Sequence, residues 1–167
     1  KPSCAHVTSW NKNTSVKFRT DVASMCKLGF DIGLKDMTAD ELAYCQDAVA
    51  NWKRLQPAIM DGDQYRLVSP YETNHMAVNY VSKDQKKAVL FAYDVYPRFQ
   101  EKLINVKLQG LDPNKTYKVE EINLMPGVDS ALKSNGQTYT GDYLMKVGIE
   151  VFGFAATQSH VLELTAM

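Results

Sequence analysis

The hydrophobic period of this chain changes near residue 62, and that change restricts its fold more than any other feature. Before it, short apolar segments alternate with helical patterns. After it, the chain runs in short stretches of β-type residues. In "TSVKFRTDVASMCKLG", Thr14 or Ser15 offers a helix N-cap, Val16 or Phe18 with Val22, Met25 and Cys26 an apolar stripe, and Gly29 a stop. "KLGFDIGL", bounded by Gly29 and Gly33, reads as a brief buried strand. Thr38 and Glu41 then form a capping-box pair, each side chain satisfying a backbone N–H of the other. Leu42, Cys45, Val49, Trp52 and Leu55 follow at helical spacing, and Pro57, which lacks a donor, ends or kinks that helix. The order "SCAHVT", helix, "LGFDI", helix is that of parallel β/α units. Two such units can neither close a barrel nor cover both faces of a sheet, so they predict the tail of something larger.

From about residue 63, "YRLVSP", "MAVNYVS", "KAVLFAYDV", "KLINVKL", "YKVEEINL" and "HVLELTA" read as strands. "SKDQ" at 82–85 closes a predicted hairpin between 76–81 and 86–95. Pro113, with Asp112 and Asn114 able to bond their own backbone, supplies a turn at 110–115 and predicts a second hairpin across 102–122. Val106 and Leu108 alternate with Lys107 and Gln109, giving one buried and one wet face. Together these runs predict an antiparallel β-sandwich.

Composition excludes several classes of function. Nineteen basic residues balance nineteen acidic ones, so no global field draws the chain to nucleic acid or to an anionic membrane. No apolar run approaches the roughly 18 residues of a membrane span, and no signal-peptide pattern opens the chain. Cys4, Cys26 and Cys45 have no CxxC spacing and no fourth ligand, so they read as free buried thiols rather than a zinc site. P-loop, GxGxxG, GxSxG and HExxH motifs are absent, and neither metal nor cofactor is expected. "NTS" at 13–15 and "NKT" at 114–116 fit the glycosylation sequon.

The remaining chemistry rests on a few side chains. His6 closes an apolar segment; at the C-terminal end of a barrel strand it faces an active site, and otherwise it is a hydrogen-bonded structural histidine. His75 and His160 fall in or beside predicted strands and read as structural. A glycosidase needs two carboxylates across a sugar-sized gap. Of Asp21, Asp31 and Asp36, Asp31 after the strand "LGF" is the best placed, while Asp21 with Lys17 and Arg19 reads as a salt-bridged helix face. Tyr71, Tyr80, Tyr93, Tyr96, Tyr117, Tyr139 and Tyr143 suit either strand packing or stacking on sugars.

Five segments in order carry a family resemblance: "AHV" leading to "FRTDVASMCKLGFDI", then "GDQYRLVSP", "AVLFAY", "LQGLDPNKTYKVEEIN" and "YTGDYLMKVGI". Across nearly the whole chain they resemble the C-terminal part of bacterial glycoside hydrolase family 36 α-galactosidases. The resemblance implies an α+β chain. Residues 1–62 would form the last two β/α units of a TIM barrel, and residues 63–167 a C-terminal antiparallel β-sandwich. It implies a parent enzyme that hydrolyses terminal α-galactosides with retention, using an aspartate nucleophile and an aspartate acid/base. The family's "KWD" and "SD" motifs for those groups do not occur here, so no catalytic residue is expected in this chain and the chain alone is expected to be inactive. Ala5, His6 and Val7 match the strand that faces the pocket, which makes His6 and Cys4 the expected substrate-lining residues, although "KPSC" departs from the family's glycine-containing version. The expected partners are α-galactoside sugars, met through the parent; the compartment is a bacterial cytoplasm or periplasm.

The alternative is a free-standing sugar-binding or structural β-sandwich, for which the β/α first third has no use. A strand at 3–8 with one neighbour missing also predicts self-association through the truncated barrel edge. On that reading, removal of residues 1–60 leaves a folded β-domain.

Overall fold

The computed structural model describes residues 5–8, 14–98 and 100–167, without the side chains of Ala5 and His6. Strand β1 (Ala5–Thr8) runs parallel to β2 (Leu28–Asp31), with His6 opposite Gly29 and Thr8 opposite Asp31. Helix α1 (Val16–Ser24) connects them, and Ser15 caps it by accepting from the Phe18 N–H at 3.1 Å. Helix α2 (Ala39–Gln56) opens on the predicted capping box: Glu41 N donates to Thr38 Oγ1 at 3.2 Å, and Thr38 N to Glu41 Oε2 at 2.9 Å. The β/α alternation read from the first third is present.

The buried faces of the helices differ from the predicted stripes. In α1 the buried positions are Val16, Thr20, Asp21, Ala23 and Ser24, while Val22 is exposed. In α2 they are Tyr44, Cys45, Ala48 and Leu55. The cause is polar: Tyr44 turns inward because its hydroxyl bonds Asp21 on α1 at 2.9 Å, so the two helices meet through a hydrogen bond that hydropathy cannot register. At Pro57 the helix does not stop but widens into a π-turn (Pro57–Asp61) that buries Ala58 and Ile59, consistent with the missing proline N–H. Gly62 then carries the chain over a tight crossing. A Cβ there would lie 2.2 Å from the Ala58 carbonyl oxygen and 2.4 Å from that of Val81, so only glycine fits.

The rest of the chain builds one antiparallel sheet in the order β3-β4-β5-β8-β6-β7. Its strands are β3 (Asp63–Val68), β4 (His75–Val81), β5 (Lys87–Asp94), β6 (Thr116–Ile122), β7 (Thr138–Thr140) and β8 (Gln158–Ala166). Helix α3 (Gly141–Lys146) follows β7. The β4–β5 hairpin forms as predicted, closed by the Ser82 N–H bonding the Lys87 carbonyl at 2.8 Å. The hairpin predicted across 102–122 does not form. Only its second half is a strand, and β6 pairs with β8 and β7. The first half crosses the sheet face, bridging only Val106 to Ile149, and buries Val106, Leu108 and Leu111. Alternation reports which side of an extended segment is dry, not whether its backbone pairs.

Both faces of the sheet centre are covered, so β4 and β5 are buried almost throughout. On one face Leu90, Leu162, Leu164, Tyr117 and Val119 pack against Val106, Leu108, Leu111, Leu144, Ile149 and Val151. That second layer is largely irregular chain rather than a paired sheet. On the other face Val78, Tyr80, Val89, Phe91, Tyr93 and Val161 share one core with Leu55, Ala58 and Ile59. Residues from before position 62 therefore complete the core of the sheet. Cutting the chain at residue 60 would strip that face, contrary to the expectation of an independently folded β-domain.

Candidate functional site

The C-terminal ends of β1 and β2, where a barrel would carry its chemistry, are Thr8 and Asp31. An Arg19 guanidinium N–H from α1 donates to the Thr8 carbonyl and fixes the end of β1 against the helix. Cys4 and the side chain of His6 lie outside the described residues. Asp31 ends β2 and Asp36 sits in the short turn Leu34–Asp36, both exposed. A catalytic acid needs burial to hold its proton, and no buried carboxylate among the described residues stands at these strand ends. Cys26 and Cys45 are buried thiols outside any disulfide, as expected.

Asp21 is instead the centre of a structural hub. It is fully buried, and four side chains donate to its carboxylate: Lys17 Nζ and Ser159 Oγ each at 2.7 Å to Oδ2, and Tyr44 OH and Asn123 Nδ2 each at 2.9 Å to Oδ1. The Tyr93 hydroxyl donates to the Asp21 backbone carbonyl at 2.9 Å, and Asn51 Nδ2 of α2 to Asn123 Oδ1 at 3.0 Å. The carboxylate thus ties α1 to α2, β8 and the end of β6, and the backbone carbonyl of the same residue ties it to β5. Full hydrogen bonding is what makes a buried charge tolerable. Burial and then the neighbouring Asp21 charge push the Tyr44 and Tyr93 phenols far above their ordinary range. Burial raises Tyr80 to about 12; its hydroxyl donates to the Met25 carbonyl at 2.8 Å. The expected Lys17–Asp21 pair exists, but the other three donors are remote in sequence and gave no signal there.

The remaining ionisable groups pair across the sheet. His75 Nδ1 lies 2.7 Å from Asp94 Oδ1, both buried, and the Gly153 N–H donates to Asp94 Oδ2 at 2.9 Å. Burial raises the Asp94 pKa against the opposing pull of those two bonds. His160 Nδ1 lies 2.6 Å from Glu121 Oε1, and the Ser130 hydroxyl donates to the other oxygen. Burial acts to raise Glu121, but these bonds outweigh it and hold the carboxyl below its ordinary value. Glu163 is likewise held low despite burial, by Arg54 of α2 and by Lys87, whose Nζ is 3.0 Å away. His75 and His160 are the structural histidines the sequence suggested. Of the tyrosines, Tyr80, Tyr93 and Tyr117 are core, Tyr71 and Tyr96 are exposed, and Tyr139 and Tyr143 stack on each other. No group of three or more His, Cys, Asp or Glu among the described residues is arranged to hold a metal.

A pair of parallel β/α strands bonded through a buried hub to a six-stranded antiparallel sheet, with no buried acid pair at the strand ends among the described residues, is a mixed α+β region. The chain belongs to glycosyl hydrolase family 36, whose C-terminal domain model matches residues 75–164. It is 34% identical over 136 residues to a probable α-galactosidase C of Aspergillus flavus, covering 81% of this chain and 16% of that protein. The crystal structure of the family 36 α-galactosidase AgaB from Geobacillus stearothermophilus matches with a TM-score of 0.82 at 28% identity, over 98% of this chain and 21% of that one. AgaA of the same organism, solved in complex with raffinose, matches in fold with a TM-score of 0.80 at 24% identity, over 98% of this chain and 21% of its own. The chain therefore spans about a sixth to a fifth of its relatives. Those relatives are fungal as well as bacterial, so a bacterial source does not follow from them. No helix among the described residues is long and apolar enough to cross a membrane.

Proposed function

We propose that this chain is the C-terminal region of an α-galactosidase and works as the packed end of a catalytic barrel, without catalytic groups of its own. In this reading residues 1–62 are the barrel's last two β/α units and residues 63–167 a sandwich-type domain that buttresses them. The observation that carries it is the match of 98% of this chain to one fifth of a family 36 α-galactosidase structure. The Asp21 hub supports the buttressing role, since it bonds α1 to the sheet through four donors.

In this reading Cys4 and His6 would line the substrate pocket, with α-galactosides as ligands, although His6 is the second residue of β1 and Thr8 its C-terminal end. Retaining hydrolysis requires a nucleophile and an acid/base, and this reading places both on barrel strands outside the chain. Among the described residues β1 pairs only with β2, so its free backbone edge would also drive self-association of the isolated chain. The test is hydrolysis of a chromogenic α-galactoside by this chain and by a longer protein that contains it. The longer protein is expected to turn over and the chain not. Turnover by the chain alone overturns the inactivity, and a longer protein inert toward α-galactosides overturns the activity assigned to it.

A further inference from the structure

Tyr139 on β7 and Tyr143 on α3 stack with ring centroids 5.2 Å apart and planes within 14°. Tyr139 packs inward against the sheet core, and Tyr143 is 42% exposed. Both line a recess of 220 Å³, together with Asn105, Lys133, Ser134 and Glu150. Ser134 is buried, and its hydroxyl has no hydrogen-bond partner among the described residues. A buried hydroxyl left unpaired is unfavourable, so such atoms in native proteins ask for an occupant. Lys133 Nζ and Glu150 Oε2 are 3.3 Å apart, so the rim presents a donor and an acceptor whose charges cancel.

We infer that this recess is a sugar-binding subsite. The Tyr143 ring, backed by Tyr139, offers a flat apolar surface with a polar edge, and an amide, a hydroxyl and a neutralised ion pair surround it. That is a surface for a neutral ring with one apolar face and a rim of hydroxyls, not for an anion or a cation. Most pockets that bind small ligands combine aromatic walls with a few such polar groups. The choice of galactosides among neutral sugars rests on the function proposed above; the chemistry of the recess does not.

The experiment is a proton NMR titration of the full chain with raffinose, following the ring resonances of Tyr139 and Tyr143, and with adenosine as a planar control. Saturable shifts in the millimolar range are expected, weakened about tenfold by Tyr143→Ala and several-fold by Ser134→Ala, with circular dichroism unchanged. Absence of saturable shifts, an affinity unchanged in Tyr143→Ala, or binding of adenosine but not raffinose would overturn the subsite. Saturable raffinose binding supports it whether or not the longer protein hydrolyses α-galactosides, so the two readings fail separately.

Discussion

Replacing Asp21 with alanine removes the acceptor for four side chains at once. The losses are unequal. Lys17 is partly exposed and turns to water, and the Tyr44 hydroxyl has a second acceptor in the Lys17 carbonyl at 3.3 Å. Ser159 Oγ and Asn123 Nδ2 have no comparable escape, since both residues are buried between α1 and the sheet. Each unsatisfied buried donor costs about 1–3 kcal/mol, and breaking a buried ionic cluster costs about 3–5 kcal/mol. Asp21→Ala is therefore expected to destabilise the chain by about 3–5 kcal/mol, a large part of a typical domain's ~5–15 kcal/mol. Asp21→Asn keeps an oxygen for Tyr44 and Asn123 and gives Ser159 a donor to accept from, but sets an amide against the Lys17 ammonium. Its expected cost is smaller, about 1–2 kcal/mol. Urea unfolding followed by far-ultraviolet circular dichroism measures both, with the slope unchanged. A cost for Asp21→Ala below about 1 kcal/mol, or a larger cost for Asn than for Ala, would refute the hub.

Three further outcomes follow from the same packing. Deletion of residues 1–60 uncovers Val78, Tyr80, Phe91 and Tyr93, so the remainder should bind a hydrophobic dye and lose its cooperative transition; a soluble remainder with sharp unfolding would contradict the shared core. Tyr44, Tyr93 and Tyr80 have folded pKa values raised above those of an unfolded tyrosine. Their contribution is therefore complete below about pH 10 and is lost as pH rises beyond it, and the part of the tyrosinate absorbance that disappears in Tyr44→Phe, Tyr80→Phe and Tyr93→Phe should rise together with unfolding rather than before it. Glu163 and Glu121 have folded pKa values below the unfolded value. Their contribution is present above about pH 4.3 and fades on acidification, and Glu163→Gln should flatten that acid limb in urea titrations.

The sequence displayed those parts of the fold that local chemistry decides. The Thr38–Glu41 capping box, the 82–85 hairpin and the period change near residue 62 each depend on neighbours a few positions apart. It misled where the deciding partner is distant. Val106 and Leu108 alternate as a strand would, yet their segment lies on the sheet face because β6 already pairs with β8 and β7. Asp21 announced its bond to Lys17, while Asn123 and Ser159 lie 102 and 138 residues away. The Tyr139–Tyr143 recess was legible only as a surplus of tyrosines, because Ser134 and Glu150 reach it through turns without periodic signal.

The proposed role is tested most directly by complementation. The upstream barrel of a longer family 36 protein containing this sequence is produced separately and mixed with this chain, and hydrolysis of a chromogenic α-galactoside is followed. Neither piece alone should turn over substrate, the mixture should, and Asp21→Ala should diminish the rate regained by weakening the packed end. An upstream barrel that is fully active without this chain, or a mixture that stays silent while the intact protein works, would contradict the claim that these residues complete the catalytic barrel.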